Sequence, residues 1–154
     1  MSADFWPDEA ETYAIIAFHD EDAGFLPENE PLLSQWIQNI IAQEQGQLQQ
    51  INYIFCSDEY LHRINLEYLD HDTYTDIITF PYEAFPLIHS DIFISVERVR
   101  ENAKELNTSF DEELHRVIIH GVLHLCGYPD KTAQEAHRMR ERENEALTVL
   151  GGLS

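Results

Sequence analysis

Residues 109–130 read SFDEELHRVIIHGVLHLCGYPD, and this run decides the fold because it holds a whole helix: its start, its buried face and its stop. Ser109 with Glu112 three residues on has the spacing of a capping box. Leu114, Val117, Ile118, Gly121, Val122 and Leu125 recur at the three- and four-residue steps of one helical face. His120 and His124 sit four apart at the edge of that stripe, so their side chains stack on one face, close enough to share a cation. Gly127 and Pro129 then end the helix, and a chain that turns back there carries Asp130 to the same ion. Two imidazoles and a carboxylate make three protein ligands with one position left open. That is the pattern of a catalytic zinc site, since structural sites are closed by four ligands. His120, His124 and Asp130 are therefore the expected metal ligands.

The same geometry occurs in the long zinc-protease signature, whose helix also stops at a glycine before the third ligand. Position 121 separates the two chemistries. A zinc protease needs glutamate directly after the first histidine as general base, and here that residue is Gly121. A residue with no side chain suits close packing of helix against sheet instead. Proteolysis is disfavoured.

Outward from this helix, Thr132 and Glu135 repeat the capping box ahead of a last helix carrying Ala136, Met139, Glu143, Leu147 and Leu150 on one side. Upstream, Ser95 can cap a helix with Val96, Val99, Ala103 and Leu106. Tyr13–Phe18, residues 50–56 (QINYIFC), 76–80 (DIITF) and 91–95 (DIFIS) are short, β-branched and aromatic, and read as strands. Between the first two, Pro31 opens a helix striped by Leu32, Leu33, Trp36, Ile37, Ile40 and Ile41, with Gly46 as its stop. Ser57 with Asp58 and Glu59 starts another, with Leu61, Ile64 and Tyr68 on its apolar face. The expected fold class is α+β: a single domain over residues 1–154, with a small mixed four-stranded sheet packed against about five helices.

Composition agrees with that size. At 154 residues and 44% hydrophobic, the chain can bury a core without disulfide staples. Cys56 and Cys126 are too few for a disulfide framework. The acidic start MSADFWPDEAET lacks the pattern of a secretory signal, and no apolar run approaches the roughly 20 residues of a membrane span. A reducing cytoplasm and no membrane partner are expected. The net charge of −20 is unusual for a protein of phosphate chemistry. It is unevenly spread: no Lys or Arg precedes Arg63, while Lys131, Arg138, Arg140 and Arg142 follow directly on the histidine motif. These four read either as a solvated helix face balanced by glutamates or as a local basic groove. The acidic flank suits a basic protein partner.

HGVLHLCGY, with EAHRM at Glu135–Met139 and Glu143, resembles the YbeY family of bacterial metal-dependent endoribonucleases of ribosomal RNA maturation. Upstream, Ile64–Asn65, Tyr68 and TDIITFP (Thr75–Pro81) resemble the block before that family's central strand, and Asp91–Ile92 with Ser95 resembles its next segment. The resemblance spans roughly Leu61 to Leu147. It implies a single-strand-specific, metal-dependent endoribonuclease acting in rRNA maturation and ribosome quality control. Expected partners are single-stranded RNA, ribosomal RNA above all, and the small ribosomal subunit or a basic ribosomal protein. One divalent ion is implied, with zinc favoured, although Fe²⁺ and Ni²⁺ accept the same donors.

Two departures bear on the chemistry. Asp130 stands where the family carries a third histidine, which adds a negative charge and makes the cation a weaker Lewis acid. Leu69 stands where the family carries an arginine able to neutralise charge on the phosphate. Arg63 and Lys131 are the expected replacements, and with His120, His124 and Asp130 they complete the candidate catalytic set. Tyr74 and Tyr128 are candidates for base stacking. Asp76 is either a turn residue or part of the active-site wall, and His71 and Asp72 are expected to be simple turn residues. Cys126 reads as packing, and His115 and His137 as surface histidines. Two other readings stay open: a non-catalytic ribosome-assembly factor that keeps the metal, and a metal hydrolase of another small substrate.

Overall fold

Alternating apolar residues in QINYIFC and DIFIS set the two central strands of the sheet. A computed structural model describes residues 15–153, so Tyr13 and Ala14 of the expected first strand lie outside the described residues. In chain order the elements are β1 (Ile16–Asp20), α1 (Glu30–Gln43), β2 (Gln47–Cys56), α2 (Asp58–Leu69), β3 (Ile77–Pro81), β4 (Leu87–Ser95), α3 (Val96–Glu105), α4 (Phe110–Leu125) and α5 (Ala133–Leu153). The strands form one four-stranded sheet in the order β1-β2-β4-β3. β1 and β4 both run parallel to β2, and β3 runs antiparallel to β4 at the edge. This is the mixed α+β arrangement expected from the sequence, with five helices among the described residues.

β2 and β4 begin earlier than their apolar patterns do. Gln47 pairs with Leu87 and Leu48 with Ile88, because ladder hydrogen bonds are made by backbone groups, and a glutamine-rich stretch offers them as well as an apolar one. Ile51, Tyr53 and Phe55 on β2, with Ile88, Ile92 and Ile94 on β4, point to one face and are fully buried beneath helices. There α1 contributes Leu33, Trp36, Ile37, Ile40 and Ile41. The Trp36 indole N–H donates to the Ala146 carbonyl on α5 (2.8 Å), and the Tyr53 hydroxyl donates to the Ile118 carbonyl on α4 (3.1 Å). The two largest core rings thus have their polar atoms satisfied, as burial requires. The other face is covered by α2 through a smaller cluster of Cys56, Leu61 and Ile78.

The expected caps form. Ser57, Ser95 and Ser109 each accept the backbone N–H three residues on. Thr132 Oγ1 accepts from Glu135 N (3.0 Å), and the Glu135 carboxylate accepts back from Thr132 N (3.1 Å), a complete reciprocal box. No helix among the described residues is long and apolar enough to cross a membrane.

Gly121 lets α4 lie directly on the sheet. A Cβ there would stand 3.0 Å from Ile77 Cδ1 and 3.4 Å from both Ile92 Cδ1 and Thr79 Cγ2. Gly121→Val should therefore overpack this contact and cost about 1–3 kcal/mol, read as a lower urea midpoint. Gly121→Ala should be milder, because the better helix propensity of alanine, worth about 1 kcal/mol, offsets a shift of the flexible Ile77 tip. An unchanged midpoint in Gly121→Val would contradict this packing.

Candidate metal centre

The end of α4 supplies the site. Gly127 adopts φ 99°, a left-handed conformation that costs a side-chain-free residue little. The Gly127 N–H donates to His124 O and the Tyr128 N–H to Leu123 O, both at 3.0 Å. These paired bonds make a Schellman stop. The chain reverses, and Asp130 returns to the face that carries both histidines.

Asp130 Oδ2 lies 3.3 Å from His120 Nε2 and 3.2 Å from His124 Nε2. A ligand atom from each of the three side chains falls within 4.8 Å of the other two, and this is the one such group of three or more among the described residues. The imidazole rings meet edge to face with centroids 4.6 Å apart. Behind them, Glu143 on α5 takes His120 Nδ1 at 2.7 Å. An ionised carboxylate only accepts, so Nδ1 carries the proton and Nε2 presents its lone pair to Asp130. Lone pairs that converge on a carboxylate oxygen repel one another unless a proton or a cation lies among them. Separations of 3.2 and 3.3 Å also match the edge of a tetrahedron, about 3.3 Å, built on metal–ligand bonds of about 2.0–2.1 Å. The donor set and its spacing fit a divalent ion.

Glu143 is buried, 4% exposed. Its other oxygen accepts from Arg116 Nη1 at 2.9 Å, and Arg116 Nη2 donates to Asn144 Oδ1 at 2.9 Å. Burial opposes the Glu143 charge, yet the hydrogen bonds from His120 and Arg116 carry its pKa below the ordinary carboxylate value. Burial also opposes a charged His120, but Glu143, through its hydrogen bond and charge, and then Asp130 and Asp76 raise the His120 pKa. Such a carboxylate behind a ligand histidine fixes its tautomer and ring orientation. In sequence, Glu143 reads only as part of a helix face and of a family motif. The signal for its partner is its place one docked helix away from His120.

Residues of the cluster line two cavities. One, of about 410 Å³, is bounded by α3, α4 and α5 and lined by Asp76, Glu113, Arg116, His120, Asp130 and Arg140 among others. The other, of about 450 Å³, opens toward edge strand β3 and the preceding loop, and is lined by Leu69, His71, Thr75, His120, His124 and Asp130 among others. His71 and Asp76, read in the sequence as turn residues or at most as part of a wall, thus both face the site. The Asp76 carboxyl accepts from Asn102 Nδ2 at 3.1 Å, and burial pushes its pKa up against the opposing pull of His120. Leu69 sits in the site wall as an apolar residue.

Other candidates lie elsewhere. Arg63 lines neither cavity; it stands over the Tyr60 ring in a groove with Tyr68, Phe80 and Phe93. Lys131 is exposed, and among the described residues only its backbone N–H is engaged, with Glu135. The Tyr128 hydroxyl donates to Glu44 and Arg138 covers its ring, while the Tyr74 ring stacks on His62 and lies near Arg98. Tyr128 is tied into the fold, whereas Tyr74 is 55% exposed. Cys126 is buried, its thiol pushed up to about 12 by desolvation, in keeping with packing, and both cysteines are free. His137 is exposed as expected. His115 is only partly at the surface: it is half-buried with its ring against Trp36, and desolvation lowers its pKa. The chain's helical period turns one side of its ring toward Trp36 on α1.

Among known proteins, the family described as Endoribonuclease YbeY matches residues 16–151. A relative of that name from Flavobacterium psychrophilum is 53% identical over 136 residues, covering 88% of this chain and 96% of its own. Another from Flavobacterium johnsoniae is 52% identical, covering 82% and 91%. The solution structure of a Thermotoga maritima protein superposes with a TM-score of 0.64 at 28% identity, covering 89% of both chains.

Proposed function

The chain belongs to the YbeY endoribonuclease family, and from that premise we propose that it is a divalent-metal-dependent endoribonuclease specific for single-stranded RNA, acting in the cytoplasm in ribosomal RNA maturation and ribosome quality control. The observation that carries the metal-dependent reading is the meeting of His120 Nε2 and His124 Nε2 at Asp130 Oδ2, with Glu143 holding His120 from behind. His120, His124 and Asp130 would hold the ion. An ion held there would supply Lewis-acid polarisation of a phosphodiester oxygen and a lowered pKa for bound water.

The protein's own residues set the conditions for that chemistry. Glu143 keeps the His120 proton on Nδ1, so Nε2 stays a donor. Arg116 holds Glu143 through a second bond, so the carboxylate cannot swing out to compete for the ion. Asp130 brings a negative charge that favours retention of the cation. Zinc suits this donor set. The expected substrate is unstructured rRNA, and the acidic first half of the chain suits a basic ribosomal protein on the small subunit.

The test is cleavage of an unstructured oligoribonucleotide against its duplex and its DNA counterpart, with and without chelator. Single-stranded RNA alone should be cut, chelation should stop the reaction, and zinc should restore it. Leu69 in the site wall favours the competing reading of a non-catalytic assembly factor. Binding to ribosomal particles without cleavage under any divalent ion would select that reading instead.

A further inference from the structure

Charge that develops on a phosphodiester is commonly stabilised by an arginine or lysine beside the metal, and Leu69 supplies none. Of the nine basic residues, two line a cavity that His120 and Asp130 also line: Arg116 and Arg140. Arg116 is spent. Its guanidinium holds Glu143 and Asn144 at 2.9 Å each, and its side chain is only 14% exposed. Arg140 is different. Its side chain is 52% exposed, its nearest acid is Glu143 at 3.9 Å, and among the described residues no hydrogen bond reaches its guanidinium. The remaining arginines are engaged elsewhere: Arg63 over Tyr60, Arg98 on Asp58, Arg100 over Phe110, Arg138 over Tyr128 and Arg142 on Glu44.

We propose that the cavity between α3, α4 and α5 is the seat of an RNA phosphate beside the metal centre, and that Arg140 binds it, approaching from the side opposite Leu69. This rests on the nuclease reading above. The cavity, about 410 Å³, is large enough for a phosphate with part of its nucleotide. Its charge would disfavour an anion while the histidine cluster holds no cation. Arg116 and Arg140 face four carboxylates, those of Asp76, Glu113, Asp130 and Glu143. A divalent ion on the histidine cluster would add two positive charges and offset much of that negative charge, so an anion would be repelled less. Glu113 supports a ligand there on separate grounds. It is 5% exposed, lines the cavity, and among the described residues its carboxylate accepts no hydrogen bond. A buried acceptor without a donor is costly, and a ribose hydroxyl or base N–H would satisfy it.

The experiment uses the metal-loaded full chain and a 2′-O-methyl phosphorothioate oligonucleotide, which keeps the phosphate charges but resists cleavage. Its affinity is measured across a salt series for wild type, Arg140→Ala, Arg140→Gln, Arg140→Lys and Arg100→Ala, the last lying in a different groove. Loss of one phosphate contact should make the slope of log K against log salt shallower by about 0.7. That change is expected in Arg140→Ala and Arg140→Gln, with the slope restored in Arg140→Lys and unchanged in Arg100→Ala. RNA cleavage should fall in parallel by about 10²-fold in kcat/KM for the first two. A wild-type slope and rate in Arg140→Ala, or an equal loss in Arg100→Ala, overturns the assignment. A wild-type chain that neither binds nor cleaves RNA overturns the nuclease reading and this proposal together.

Discussion

His120→Ala and His124→Ala should each lose the bound ion and RNA cleavage together, while the domain stays folded. Both side chains stand at the rim of the α4 stripe, 23% and 32% exposed, rather than in the core. Removing either leaves two ligands, and elemental analysis of each variant should show metal falling from about one per chain toward none, with cleavage at assay background. Their stability costs should differ. His120 also satisfies the buried Glu143, so its loss strands a charged acceptor and should cost about 1–3 kcal/mol. Among the described residues His124 forms an ion pair with Asp130 alone, and its loss should cost less. Circular dichroism and urea denaturation, run beside the metal and cleavage assays, separate these effects. Full activity in both variants would reject the metal centre as the seat of catalysis.

Glu143→Ala should be the most destabilising single change near the site. It removes one carboxylate from a buried set in which Arg116, Glu143 and His120 depend on one another. Breaking such a set by deleting one partner costs about 3–5 kcal/mol, because the other charge stays buried without compensation. Against a total stability of about 5–15 kcal/mol, that is a large share, and the urea midpoint should fall steeply. Glu143→Gln keeps the volume, but its single amide oxygen can accept from only one of His120 and Arg116, so it should be destabilised, though less than Glu143→Ala. It loses the negative charge that strengthens the imidazole as a donor, and zinc affinity measured by chelator competition should drop about 10–100-fold. If Glu143→Gln held zinc as tightly as wild type, the carboxylate would have no part in orienting His120.

These two results probe different kinds of information in the chain. The histidine pair, the capping box at Thr132 and the glycine stop at Gly127 are legible in the residue order alone, and each forms as expected, while at Ser109 the serine half of the expected box forms and, among the described residues, the return bond from Glu112 does not. Gly121 is also legible as a packing position, and the sheet indeed lies against it. The loop that leads into β3 is less so. His71 and Asp76 carry no periodic signal, and only the way the loop folds over the end of α4 makes them line the site. Arg63 shows the converse. Six residues ahead of Leu69 it is close enough along the chain to replace the missing cation, but it lies in a groove lined by Tyr60 and Phe93 instead. On a helix a six-residue step is a rotation of about 240° from the first position.

By itself the sequence determined what depends on near neighbours in the chain: helix starts and stops, the face shared by His120 and His124, and the turn that returns Asp130. Those follow from helical geometry and backbone capping, which act over three to six residues whatever the rest of the molecule does. Only the tertiary structure decided that Glu143, carried in by the docking of α5, holds His120, that Arg116 is locked, that Leu69 faces the site, and that Arg140 reaches the cavity with its guanidinium free of hydrogen bonds among the described residues. The reason is that these contacts depend on the angle and depth at which helices seat on the sheet. That seating is set by the summed packing of many core side chains, and no local spacing encodes it.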